Sequence, residues 1–198
     1  MQQQRRSVKS WLAKPPSVEE ARPGCCPRCQ AASRPVGLRL VVVGHGLRER
    51  QHLGPPAPNT EPLAAELRVR RYRCRNCNAV ITVGPTGVLF GRHYSAAAIA
   101  WALALCGLLG LSFAEVRARV SPWRIVGVAA ARSWVTLRRW VGAAGNGGLF
   151  PVLRRPLRVG TVRKAAAALA EELAGHALPE FRRLPLAEQT FWAAALAG

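Results

Sequence analysis

The six cysteines are the residues of this chain best suited to chemistry, and four of them fall into two pairs of identical spacing. Cys26 and Cys29 stand in "GCCPRCQ", Cys74 and Cys77 in "RVRRYRCRNCNAV". Two thiolates three residues apart can grip one ion when the chain curls around it. Two such turns complete a tetrahedron about Zn2+, with each sulfur at about 2.3 Å. Redox dithiols or unconnected buried cysteines are the competing readings. Paired CxxC motifs flanking strand-forming sequence favour a structural Zn2+ site with Cys26, Cys29, Cys74 and Cys77 as ligands. Cys25 lies four residues from Cys29 and is the alternative to Cys26, although the CPxC turn makes the more regular knuckle. Cys106 sits in an apolar helical stretch and reads as core packing. His45 and His52 lie between the pairs and are not needed beside four cysteines. His93 and His176 carry no ligand pattern.

The thiols are set in positive charge. Five arginines occupy the eight residues from Arg68 to Arg75. The whole chain of 198 residues carries 29 Lys plus Arg against 10 Asp plus Glu, a formal charge of +19, and every acid is a glutamate. A coding bias accounts for arginine in place of lysine, but less well for so few acids. Such an excess repels itself unless a polyanion is near, which points to nucleic acid. A four-thiolate zinc site is itself formally −2. Arg28, Arg71, Arg73 and Arg75 offset that charge and can face phosphate. The N-terminal "MQQQRRSVKSWLAKPPSVEE" has no apolar run, so the expected compartment is the reducing cytoplasm, where CxxC pairs serve metals before disulfides.

The elements that must position these residues change character along the chain. Residues 1–24 are polar and proline-containing and read as a flexible basic arm. "LRLVVV" (38–43) is strand-like, "GHG" is expected to turn the chain, and 47–62 reads as a Pro/Gly-rich loop. "LRVRRYR" (67–73) and "AVITV" (79–83) read as strands. Helices follow at 94–111, at 112–120 behind a Ser112/Glu115 capping box, at 131–141, at 161–177 and at 186–197, with 146–160 as a linker. On the third helix Trp134, Leu137 and Val141 share one face. Arg132, Thr136 and Arg139 lie opposite, with Ser133 and Arg138 at the edges. Arginine can read guanine in a major groove, and threonine can touch a thymine methyl or a phosphate. A solvated amphipathic helix is the competing reading, and the link before this helix is longer than a usual helix-turn-helix turn. The stretch 93–114 lacks charge, yet only 96–111 is continuously apolar, short of the ~20 residues a membrane span needs. Arginines flank both ends, so no orientation is favoured, and a buried helix in a small domain needs the same composition; membrane association is not expected.

"CPRC", "RYRCRNCNAVITV", "HYSAAAIAWALAL", "LSFAEVRARVSPWR" and "RSWVTLRRW" together resemble the zinc-ribbon plus helix-turn-helix region of bacterial insertion-sequence transposases, and small proteins carrying that region alone. The resemblance covers about residues 25–141. It implies a DNA-binding module associated with mobile elements, with the four cysteines as ribbon ligands and the helix around Thr136–Arg139 reading DNA. Transposases of this kind continue into a nuclease core with three carboxylates, usually led by aspartate, that bind two Mg2+ ions. This chain has no aspartate, and about 57 residues follow Val141.

The expected fold class is therefore α+β: a small N-terminal β zinc ribbon followed by an all-α helix-turn-helix and C-terminal helices. The domains would be the arm (1–24), the ribbon (25–91), the helix-turn-helix (92–145), and a linker with C-terminal helices (146–198). The expected function is non-enzymatic binding of double-stranded DNA, with Arg71, Arg73, Arg132, Ser133, Thr136, Arg138 and Arg139 in contact. The alternative is an adaptor that docks a transposase or a polymerase subunit. No P-loop or dinucleotide fingerprint is present.

Overall fold

A computed structural model of the chain describes residues 2–4, 6–89, 91–125, 134–153 and 160–197. Among these residues the fold is mixed α/β, with six α-helices and one four-stranded sheet. The strands are β1 (Gln2–Gln4), β2 (Val42–Gly54), β3 (Leu63–Cys74) and β4 (Val80–Pro85), in the spatial order β1-β4-β3-β2. The helices are α1 (Val8–Ala13), α2 (Ala96–Gly107), α3 (Phe113–Val120), α4 (Val135–Gly145), α5 (Val162–Ala174) and α6 (Leu186–Ala197). The mixed composition agrees with the sequence reading, as do strands over 67–73 and 79–83.

The sheet is longer than the sequence suggests. Residues 47–54, expected in a loop, are strand, because β2 and β3 pair antiparallel from Val42↔Cys74 to Gly54↔Leu63. Their polar, arginine-rich sequence hides them: ladder hydrogen bonds come from the backbone and do not depend on apolar side chains. "GHG" does not end the strand either. The register shifts between Gly44 and Leu47, and Gly46 takes φ +88°, so the extra residue is absorbed as an irregularity within β2. The true loop is residues 55–62. Its four prolines lack the N–H a ladder needs.

The N-terminal residues are built into the sheet. β1 runs parallel to β4, with Gln2↔Val83 in register. Ser7 caps α1, and Trp11 of that helix is fully buried, with its Nε1 donating to the Arg68 carbonyl at 2.8 Å. Farther along, Tyr72 Oη donates to the Val18 carbonyl and Arg70 Nε to that of Pro16. These residues join Val42, Leu67, Val69, Ile81 and Val83 in one core. A single tryptophan in a polar segment gives little periodic signal, yet its ring supplies enough apolar area to seat the segment.

The second core surrounds α2. Every residue from Ala96 to Cys106 is buried, so this helix has no solvent face. Its alanines let α3, α4, α5 and α6 approach it from several sides. Gly107 shows how closely: a Cβ there would lie 2.2 Å from the Ala167 backbone nitrogen. The uncharged run is thus a core helix, and its 12 residues reach about 18 Å at 1.5 Å per residue. Among the described residues no helix is long and apolar enough to cross a membrane. Backbone hydrogen bonds join the sheet to the start of the helices. Leu53 N–H donates to the His93 carbonyl, Ser95 N–H donates to the Leu53 carbonyl, and Gly54 packs on Ala98 where no Cβ would fit.

Trp11→Ala should lower the stability of the whole chain by about 3–5 kcal/mol, the usual cost of emptying a buried aromatic site. Chemical denaturation followed by circular dichroism measures it. A loss below about 1 kcal/mol would show that residues 1–24 are not part of the cooperative fold.

Candidate metal centre

The two CxxC segments form the same turn. Cys26 N–H donates to the Ala31 carbonyl and Gln30 N–H to the Cys26 carbonyl, each at 2.9 Å. Cys74 N–H donates to the Ala79 carbonyl and Asn78 N–H to the Cys74 carbonyl, also at 2.9 Å. The residue after each second cysteine is left-handed, Gln30 at φ 57° and Asn78 at φ 59°. Asparagine tolerates that region better than most side chains. One turn closes a short hairpin marked by the Cys25↔Ala32 bridge, and the other joins β3 to β4. Arg75 N–H donates to the Val41 carbonyl and fixes the second turn against the start of β2.

The turns face each other and bring four sulfurs together. The Sγ atoms of Cys26, Cys29, Cys74 and Cys77 all lie within 4.8 Å of one another. Cys26 and Cys77 are 3.6 Å apart, Cys29 and Cys74 3.7 Å. A tetrahedron with metal–sulfur bonds of about 2.3 Å has sulfur–sulfur edges of about 3.8 Å. Disulfide bonding needs about 2.05 Å, and all six cysteines are free. Cys26 and Cys74 are fully buried, whereas Cys29 and Cys77 are half-buried. This donor set could hold one soft or borderline divalent cation.

The polar surroundings favour thiolate at one edge of the cluster. The Cys29 thiol is lowered to about 6, first by the Ala31 backbone N–H and also by Asn76, whose Nδ2 donates to it from the opposite turn at 3.6 Å. Cys26 is lowered by the Cys29 backbone N–H. Cys77 receives the Ala79 N–H, yet burial and the three neighbouring thiols push it up to about 11. Four thiolates so close cannot all ionise unaided near neutrality. A bound cation displaces the remaining protons, so metal binding and ionisation are one event.

The choice between Cys25 and Cys26 is made by direction. Cys25 is outside the cluster, with its sulfur 3.7 Å from Gln30 Oε1. His45 and His52 are also outside it. Both sit on β2, His45 exposed and His52 half-buried. Burial, aided by Arg50, lowers His52 to about 4 and keeps it neutral. Cys106 is a core residue of α2.

Of the residues expected on DNA, Arg71 is half-buried on β3 opposite Thr82. Arg73 is exposed and donates to Asn78 Oδ1 at 3.1 Å, so it brackets the second turn. Arg28 and Arg75 are exposed within the two turns. On α4 the expected face is buried, with Trp134, Leu137 and Val141 at 8%, 0% and 8% exposure. Trp140 is buried too, in an aromatic cluster with Tyr94 and Trp134 that heptad spacing alone did not signal. Arg138 and Arg139 are exposed and Thr136 is half-buried. The Arg138 guanidinium also lies over the Phe113 ring, 5.7 Å from its centre. Arg132 and Ser133 lie outside the described residues. Sequence reasoning missed Asn76; its only signal was a side-chain donor between two ligands.

No family model, no curated protein and no solved structure matches the chain.

Cys74→Ser should release bound metal and unfold the sheet, because the ion's binding energy is part of the folding energy. Cys25→Ser should retain one metal per chain. Elemental analysis beside circular dichroism checks both, and equal metal content in the two variants would disprove the four-cysteine assignment.

Proposed function

We propose that this protein binds double-stranded DNA through a structural Zn2+ ribbon and a helix-turn-helix formed by α2, α3 and α4, without a catalytic step of its own. The observation that carries the reading is the charge: ten glutamates cannot neutralise 29 basic side chains. Ion pairs engage Arg6, Arg22 and Arg34 with Glu19 and Glu20, all near the N-terminus. Arg28, Arg73 and Arg75 ring the cysteines and are exposed, which suits phosphate contact. Zinc is the metal that best fits four thiolates in a closed tetrahedron.

The helical part of the reading rests on α4. Its apolar side is held by the core while Arg138 and Arg139 remain at the surface. Arginine at such a position can donate two hydrogen bonds to guanine O6 and N7. Arg132 and Ser133, which precede α4 in the sequence, are proposed DNA contacts too, and Thr136 lies at the margin of the exposed face. Arg71 and Arg73 would hold phosphate. The similarity to the transposase region noted above supports an association with mobile elements.

A specific observation favours an adaptor as the second reading. Between the first cysteine turn and β2, Val36 is 101% exposed and Leu38 74%. Apolar side chains held fully in water beside a metal centre suit docking to another protein, such as a transposase.

Titration against selected and scrambled duplexes at several salt concentrations separates the readings. A DNA-binding protein loses affinity steeply with salt as counterions are released. Arg73→Ala should weaken all sequences alike and lower the salt slope by about one. Arg139→Ala should cost about 1–3 kcal/mol on a selected site and much less on a scrambled one. Equal losses on both duplexes would remove α4 as a reading helix, and binding with no salt dependence would favour the adaptor.

A further inference from the structure

A groove of about 710 Å3 opens beside β2, where the sheet meets the start of the helical half. That volume lies within the range that takes one small organic ligand. Its lining includes three guanidinium side chains, Arg48, Arg50 and Arg92, two glutamates, Glu49 and Glu66, and one indole, Trp123. Neither the metal centre nor the exposed face of α4 contributes to it.

Trp123 is the unusual member. It is 53% exposed, whereas Trp11, Trp101, Trp134 and Trp140 are buried. Its backbone is nonetheless fixed. Trp123 N–H donates to Ser121 Oγ at 3.3 Å, and the same oxygen accepts from Tyr94 Oη at 2.8 Å. Tyr94 in turn packs edge-on against Trp134 and Trp140. A large apolar ring is thus presented to water from a rigid support, which is the arrangement a stacking platform requires.

The opposite wall is also fixed in place. Arg50 donates through one guanidinium nitrogen to the carbonyls of Leu89 and Arg92, tying β2 to the segment after β4. Its buried Nε has no hydrogen-bond partner. Three guanidinium groups face two glutamates there, and Glu66 is raised by a hydrogen bond and charge repulsion from Glu49. The groove thus offers carboxylate acceptors beside guanidinium donors. That combination suits the edge of a nucleobase, while the guanidinium groups suit its phosphate.

The geometry points to this groove as a second nucleic-acid site, one that takes a single unpaired nucleotide of a DNA strand, with its base on Trp123 and its phosphates on Arg48 and Arg92. A recess sized for one small ligand has no room for a duplex, whose bases are stacked and paired. An unstacked base can enter it. The inference goes beyond duplex binding and stands without it.

The test uses the full zinc-loaded chain and a labelled mixed-sequence 12-nucleotide single strand, with the same sequence as duplex in parallel. Trp123→Ala should weaken single-strand binding about 5- to 150-fold, the range spanned by stacking one base, and leave the duplex within about twofold. Trp123→Phe keeps an aromatic face and should stay within about fivefold of the parent on the single strand. Arg48→Ala combined with Arg92→Ala should lower the single-strand salt slope by about 1.4. Unchanged metal content shows that each variant is folded. Equal loss on both DNAs, no loss on the single strand, or Trp123→Phe as damaging as Trp123→Ala would each overturn the site. A groove that serves a protein partner would give the second of these results. Single-strand binding by a parent chain that ignores duplex would leave the groove standing and remove the duplex reading.

Discussion

Four sulfurs held within 4.8 Å of one another are the constraint on which the sheet depends. They come from turns with 44 residues between them, so holding them together fixes the ends of three strands at once. Cys74 closes β3 and pairs with Val42, the first residue of β2, while the same turn leads into β4. The cluster cannot carry four negative charges by itself. Backbone N–H groups of Cys29 and Ala31 stabilise one edge of it, and the remaining thiols keep their protons unless a cation displaces them. The sheet has a modest core of its own, so a metal bound there would supply cohesion that burial alone gives sparingly in small units.

The helical half is organised differently. It depends on a single helix with no exposed face, and the other helices pack around it. Small side chains on α2 permit that closeness, as the contact of Gly107 with the Ala167 backbone shows. Aromatic groups fill the remaining volume, with Tyr94, Trp134 and Trp140 forming edge-on contacts near one end of α2 and Trp101, Phe191 and Trp192 forming others. Because the sheet and the helices meet through Leu53, His93 and Ser95, the surface at that junction is set by both halves. The groove beside Trp123 is a product of this junction and of neither half alone.

Charge connects the two halves functionally. Arginines line the cysteine turns, the exposed side of α4 and the groove, and too few acids exist to pair them. Surface ion pairs contribute little to stability in any case. The excess therefore costs the folded chain self-repulsion and is best understood through a polyanionic partner. Under the proposed function, different arginines would hold different parts of that partner, depending on whether they stand beside a rigid turn, on a helix or in a recess.

Local chemistry made part of this protein legible in its sequence. The CxxC spacing identified the ligands because a tight turn needs only the residues within it. The Ser112/Glu115 box marked the start of α3 because both capping bonds are local. The α6 range was readable from its Ala/Leu-rich composition and the prolines before it, and the buried side of α4 from its 3.6-residue period. What the sequence did not reveal depends on residues far apart. Gln2–Gln4 and Trp11 read as a loose arm until β4 and the Arg68 carbonyl gave them partners. Residues 47–54 are strand only because β3 lies beside them, and their arginines gave no apolar alternation to betray it. The CPxC turn already favoured Cys26 over its neighbour Cys25, and the structure groups Cys26 with the other three cysteines while Cys25 faces Gln30. Trp123 looked like any tryptophan near a proline until Ser121, Tyr94 and the edge of β2 surrounded it with a groove. Ligand spacing and helix caps act over a few residues and survive in the sequence, whereas strand pairing, burial and cavities arise only when distant segments meet.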